Sequence, residues 1–101
     1  MTKSSKAIYR KGDAFSKLAK ARGFRSRSAL KLLEVQKKDN FIKPSSRILD
    51  LGSSPGGWSQ VCLQIVGKKG FIFSVDKKIM EPLKGVNYLN KELEKLKESD
   101  F

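Results

Sequence analysis

An acidic, glycine-rich run and a second acid downstream are the part of the chain best suited to binding a ligand. Asp50-Leu51-Gly52-Ser53-Ser54-Pro55-Gly56-Gly57-Trp58-Ser59-Gln60 follows one short apolar segment, and Asp76 closes the next. Glycines at a strand end let the backbone come close to a ligand that any Cβ would push away. A helix starting at the turn adds free N–H groups facing the same crevice. Such crevices lie outside the carboxyl ends of the strands, and an acid at the second strand's end can accept both hydroxyls of a ribose. A phosphate-binding P-loop needs Gly-Lys-Ser/Thr where this chain has Gly56-Gly57-Trp58, so that reading fails. A dinucleotide fingerprint needs G-x-G-x-x-G, and Gly52, Gly56 and Gly57 with Pro55 among them disfavour it. Adenosine joined to a sulfonium amino acid carries no phosphate and fits a turn without a phosphate-cradling lysine. The plainer alternative is a βα turn that holds no ligand.

Composition narrows the chemistry further. The 101 residues suffice for one small domain, and 39% apolar content allows a modest core. No apolar run approaches the length of a bilayer span, and no apolar stretch follows the first residues as in a secretory signal. The expected compartment is the cytoplasm, although the basic, serine-containing start leaves an organellar or nucleolar address open. A single cysteine, Cys62, gives no disulfide framework, and with zero histidines no metal site is expected. Acid–base work would then fall to Lys, Asp or Glu. The formal charge is +12. It is concentrated early: Lys3, Lys6, Arg10, Lys11, Lys17, Lys20, Arg22, Arg25, Arg27 and Lys31 stand against one acid, Asp13. A one-sided basic end points to a polyanion, most often nucleic acid, the alternative being a solvated helix face.

Residues 1–12 form a basic flexible arm, and 13–101 the domain proper. Asp13 can cap a short helix whose apolar positions are Phe15, Leu18 and Ala19, and Gly23 stops it. Phe24 to Ser28 is a polar lead-in with a capping serine. A second helix runs from about Ala29 to Lys38, with Ala29, Leu32, Leu33 and Gln36 along one side. Lys43-Pro44-Ser45-Ser46 is a turn. Arg47 to Leu51 is a strand, Trp58 to Val66 a helix, and Phe71 to Asp76 a strand apolar enough for burial on both faces. Val86 to Leu89 forms a third strand and Lys91 to Glu98 a last helix. Strand, helix, strand is a βαβ unit with a right-handed crossover expected. Three strands do not complete a doubly wound domain, so either a fragment or a partner covering an open edge is expected.

These residues resemble the RrmJ/FtsJ-type ribosomal RNA ribose 2′-O-methyltransferases. Gly23-Phe24-Arg25-Ser26-Arg27-Ser28-Ala29-Leu30-Lys31-Leu32 is similar to the family's "RSR…KL" helix. Asp50 to Gln60 is similar to its "DLG…PGGWSQ" loop, and Asp76, Met80-Glu81-Pro82 and Gly85-Val86 to the stretch that follows. The likeness runs over roughly residues 10–92 and covers the N-terminal half of the family's catalytic domain. It implies an α/β, Rossmann-like fold dependent on S-adenosylmethionine (SAM), with parallel strands and crossover helices, preceded by basic helices. It implies a SAM site at Gly52, Ser53, Pro55, Gly56, Gly57 and Trp58, with Gly56 and Trp58 against the methionine and sulfonium end and Asp76 on the ribose hydroxyls. Glu92 falls where the family has a second acid near the adenine, with Glu in place of Asp and Lys91 before it.

Lys31 matches the first of the family's catalytic set of two lysines, an aspartate and a glutamate; the other three positions would lie beyond residue 101. The implied reaction moves a methyl group to a ribose 2′-oxygen, with residues 3–31 on the RNA, ribosomal RNA by resemblance. Neither a metal nor a membrane is implied. The isolated chain is expected to bind SAM weakly and not to catalyse. Two other readings stay open: a non-catalytic RNA-binding module, and a subunit that completes its sheet with a partner.

Overall fold

β-branched and aromatic side chains favour extended backbone at Phe71–Asp76, and this run is the central strand of a three-stranded parallel sheet. The computed structural model describes residues 14–101. The expected arm 1–12, the capping role of Asp13 and the cations Lys3, Lys6, Arg10 and Lys11 lie outside the described residues. In chain order the elements are α1 (14–21), α2 (Ser28–Asp39), β1 (Arg47–Leu51), α3 (Gly57–Val66), β2 (Phe71–Asp76) and β3 (Asn87–Asn90). Two 3₁₀ turns follow, Leu93–Lys95 and Glu98–Asp100. The strand order is β1-β2-β3, with Leu49 opposite Phe73 and Val75 opposite Leu89. All three strands therefore end at one edge of the sheet, where the glycine-rich turn begins.

The core lies where α2 and α3 pack together against the sheet. Ala29, Leu32, Ile42, Val61, Cys62, Val66 and Ile72 form one buried cluster. Each large aliphatic side chain there stabilises the fold by about 1.5–3 kcal/mol relative to exposure. Gln36, on the same side of α2 as Ala29 and Leu32, joins this region without an unmet polar group. Its Nε2 donates to the Ile42 carbonyl at 2.6 Å and its Oε1 accepts from the Ile42 N–H at 2.9 Å. That two-point contact turns the chain back toward β1. The opposite sheet face is only partly covered. Phe101 meets Phe73 with ring centroids 5.5 Å apart, and the Arg47 guanidinium lies 4.8 Å from the Phe71 ring centre. Within β2, Ile72, Ser74 and Val75 are buried, while Phe71 and Phe73 are partly covered.

Three expectations are corrected. Ser28 does not cap α2: Arg27 holds the cap position with no side-chain bond, and the Ser28 Oγ pairs with the Ser26 Oγ at 2.7 Å. The third strand starts at Asn87 and reaches Asn90. The expected helix from Lys91 to Glu98 is absent. The Lys91 N–H instead continues the sheet contact onto the Asp76 carbonyl at 3.0 Å, and its ammonium holds Asp100 at 2.8 Å. So short a helix is marginal by itself, and Phe101 on Phe73 draws the segment across the sheet face. Among the described residues, no helix is long and apolar enough to cross a membrane.

Candidate functional site

The turn leaving β1 is fastened to the end of β2. The Gly52 and Ser53 N–H groups both donate to the Val75 carbonyl, at 2.7 and 3.1 Å. Gly52 has φ +77°, and a Cβ built there would meet nothing within 4 Å. This is the position at which the bare backbone faces open space. Ser53 is buried, its hydroxyl donating to the Met80 sulfur at 3.6 Å. Asp76 then joins the two loops: its Oδ1 accepts from the Lys78 N–H at 2.9 Å and its Oδ2 from the Ser54 N–H at 2.8 Å. The Lys78 amide is the main reason its carboxyl sits below the ordinary value, with the Ser54 amide acting in the same sense. Asp76 is thus an ionised acid held in place on the loop that follows β1. Glu92 lies just past the Asp76–Asn90 pair, at the same sheet edge, with its carboxylate 3.4 Å from the Lys95 ammonium.

A buried hydroxyl pair holds the first acid of the run. The Ser59 hydroxyl donates to Asp50 Oδ2 at 2.6 Å, which leaves the Ser74 hydroxyl to donate to Ser59 at 2.7 Å. Burial pushes the Asp50 carboxyl above its usual value, the Ser59 bond opposes this, and Asp76 adds to the rise. Cys62 lines the same region, but burial, with Asp50 nearby, pushes its thiol up to about 11, so it is no nucleophile at neutral pH.

The start of α3 is built against the segment before α2. A Cβ on Gly57 would clash with the Ser26 Oγ, so this glycine serves close protein packing. The Trp58 indole N–H donates to the Ser28 carbonyl at 3.0 Å. Gln60 takes both backbone groups of the lead-in: the Arg25 N–H donates to its Oε1 at 2.7 Å, and its Nε2 donates to the Gly23 carbonyl at 3.0 Å. Arg25, counted with the polyanion contacts from sequence, turns its guanidinium inward. It donates to the Pro55 carbonyl at 3.1 Å, to the Glu81 carbonyl, and to the Pro82 carbonyl at 2.9 Å. Its side chain passes beside Gly56, where a Cβ would meet Arg25 Nη1 at 3.0 Å. One side chain therefore ties the loop after β1 to the loop after β2. Tyr88 and Asn90 fix the same second loop, donating to the Lys78 carbonyl at 2.8 Å and to the Asp76 and Lys77 carbonyls at 2.9 Å. Sequence reasoning gave no role to Asn90, Tyr88 or the inward Arg25. No residue-type signal marks a side chain that recognises distant backbone carbonyls.

The structure gathers most of the sequence-derived set. Gly52, Ser53, Pro55, Gly57 and Trp58 line one cavity of about 820 Å³ together with Asp50. Asp76 is joined to it through Ser54, and Gly56 stands behind it against Arg25. Among the described residues, no side chain caps the N-terminus of α3, so its first N–H groups face that end of the turn. Lys31 is not in this cavity. It is exposed in a neighbouring groove of about 640 Å³ between α1 and α2. Ser28 lines both.

Known proteins are similar to this chain in sequence and fold. The profile of the FtsJ-like methyltransferase family matches residues 24–100. A ribosomal RNA large subunit methyltransferase E from Marinobacter nauticus is 48% identical over 77 residues, covering 76% of this chain and 37% of that protein. The protein of the same description from Dechloromonas aromatica is 43% identical over 90 residues, covering 87% of this chain and 44% of its own length. The crystal structure of a Plasmodium falciparum ribosomal RNA methyltransferase superposes with a TM-score of 0.65 at 42% identity, over 71% of this chain and 40% of that one. The chain thus spans less than half the length of each of these relatives.

Proposed function

The chain belongs to the FtsJ-like methyltransferase family, and from that premise we propose that it forms the SAM-binding part of an RNA ribose 2′-O-methyltransferase, with ribosomal RNA as substrate. The observation that carries the reading is Asp76, ionised at the end of β2 and bonded to the Ser54 N–H of the glycine-rich turn. An anionic acceptor fixed beside an open backbone at Gly52 suits an adenosine with free ribose hydroxyls and no phosphate.

Gly52 to Trp58 would hold the amino-acid end of the cofactor, Asp76 its ribose, and Glu92 the adenine side. SAM supplies, when bound, an electrophilic methyl group on a sulfonium. Lys31 would orient the ribose 2′-hydroxyl or bias the proton affinity of a second lysine. That role rests on its match to the family motif. The 101 residues hold one of the four catalytic positions that the family uses, so this chain by itself is proposed to bind SAM and RNA without turnover.

Calorimetric titration with SAM tests the proposal. We expect saturable binding in the micromolar range or weaker, reduced at least tenfold in Asp76→Asn, and no methyl transfer to RNA above a Lys31→Ala control. RNA binding without any SAM binding would replace the proposal with a non-catalytic RNA module.

A further inference from the structure

We propose that the groove between α1 and α2 is a nucleotide subsite that takes one unstacked RNA base on its apolar floor and the adjoining phosphates on its cationic rim. This rests on the RNA reading above and adds to it a place where RNA is gripped outside the cofactor cavity. The groove measures about 640 Å³, within the range of small-ligand clefts. Phe15, Leu18, Leu30 and Leu33 make its floor. Phe15 and Leu18 stay 45% and 42% exposed, so an aromatic ring stands open to an incoming planar group.

Charge selects the occupant. Among the described residues, Arg22, Arg27, Lys31 and Lys37 line the groove with a single acid, Glu34. Among the described residues, none of these four cations is in an ion pair. Arg25 is different, because its guanidinium is already engaged by three carbonyls. An apolar floor ringed by unpaired cations fits a single-stranded nucleotide. Every base has a face to stack on an aromatic ring, and its phosphates are anions. A protein helix could use the floor but would leave the rim without partners unless it were strongly acidic.

Position links the groove to the cofactor cavity. Ser28 lines both, and its carbonyl holds the Trp58 indole. A base on Phe15 therefore places the neighbouring nucleotide at the seam with the SAM cavity, beside Lys31.

The test uses the intact chain and a short mixed-sequence single-stranded RNA, compared with an abasic oligomer of equal charge. Fluorescence anisotropy is expected to show Phe15→Ala weakening RNA binding by about five- to a hundredfold. The abasic oligomer should bind wild type and variant alike. Phe15→Tyr, which keeps the ring, should retain RNA binding. Lys37→Gln should lower the salt slope by about one phosphate contact, whereas Phe15→Ala leaves it unchanged. A variant-free arm uses 4-thiouridine RNA photocrosslinked to the wild-type chain, with the adduct expected on the peptides bearing Phe15 or Leu33. Equal loss of RNA and abasic oligomer in Phe15→Ala, or crosslinks confined elsewhere, would overturn the subsite while leaving the RNA reading standing. No RNA binding by the wild-type chain at low salt would overturn both.

Discussion

Asp76 accepts hydrogen bonds from two backbone amides, those of Lys78 and Ser54. Its folded pKa lies below the unfolded value near 3.8. Its contribution to stability is therefore complete above that value and disappears as pH falls through the folded pKa. Asp50 has the opposite sign, because burial holds its carboxyl above the same reference. Its penalty is absent in acid, grows as pH rises past the unfolded value, and is complete above the folded pKa. We therefore expect Asp76→Asn to melt below wild type near neutral pH, with the gap closing below about pH 4. Melting curves of both proteins between pH 3 and 7 check this. Much of this scale was legible in sequence. The Asp50–Gln60 run and Asp76 were identified from spacing, and the structure joins them through Ser54. The Asp50–Ser59–Ser74 chain was not legible, because nothing in a sequence shows that two serines from different elements meet at 2.7 Å.

The two loops at the carboxyl edge of the sheet behave as one rim because Arg25 joins Pro55 to Glu81 and Pro82. A guanidinium can serve several carbonyls at once, whereas a lysine ammonium lacks the planar fork. Arg25→Ala is expected to lower stability by about 1–3 kcal/mol, with Arg25→Lys recovering only part. The sharper readout is local: amide hydrogen exchange should rise in residues 53–57 and 77–85, while Ile72 and Val75 in the buried centre of β2 keep wild-type protection. The strands and the first helix stop were readable, from the apolar runs at 47–51 and 71–76 and from Gly23. The expected C-terminal helix does not form, although Leu93 and Leu96 carry helical spacing. The contacts that override that spacing, Lys91 with Asp100 and Phe101 with Phe73, are tertiary.

At the scale of the whole molecule, two features oppose each other. The chain carries a formal charge of +12, and the strand order leaves β1 at a sheet edge with Leu49 and Leu51 about half exposed, beside an exposed Phe41. Like charge keeps copies apart when screening is weak, while an open apolar edge favours pairing. The screening length shrinks from about 10 Å at 0.1 M salt to about 3 Å at 1 M. Sedimentation should therefore show a monomer at low salt and reversible self-association near 1 M, which Leu49→Lys suppresses. An unchanged monomer at high salt would mean that the edge is too short or too twisted to pair. Counting strands in the sequence leaves either a fragment or a partner-covered edge as the expectation, and the structure has β1 at an edge. Sequence did not foresee that the exposed apolar residues of β1 also line the candidate cofactor cavity.

Trp58 is the chain's sole tryptophan, and its indole N–H is pinned to Ser28, the residue shared by groove and cavity. With 46% of its surface exposed, the ring sits partly in solvent and partly in protein. All intrinsic indole emission therefore arises at that seam. A colour shift on adding a ligand to either side reports local polarity there, with no label attached, so the protein carries its own optical gauge of how the two compartments communicate.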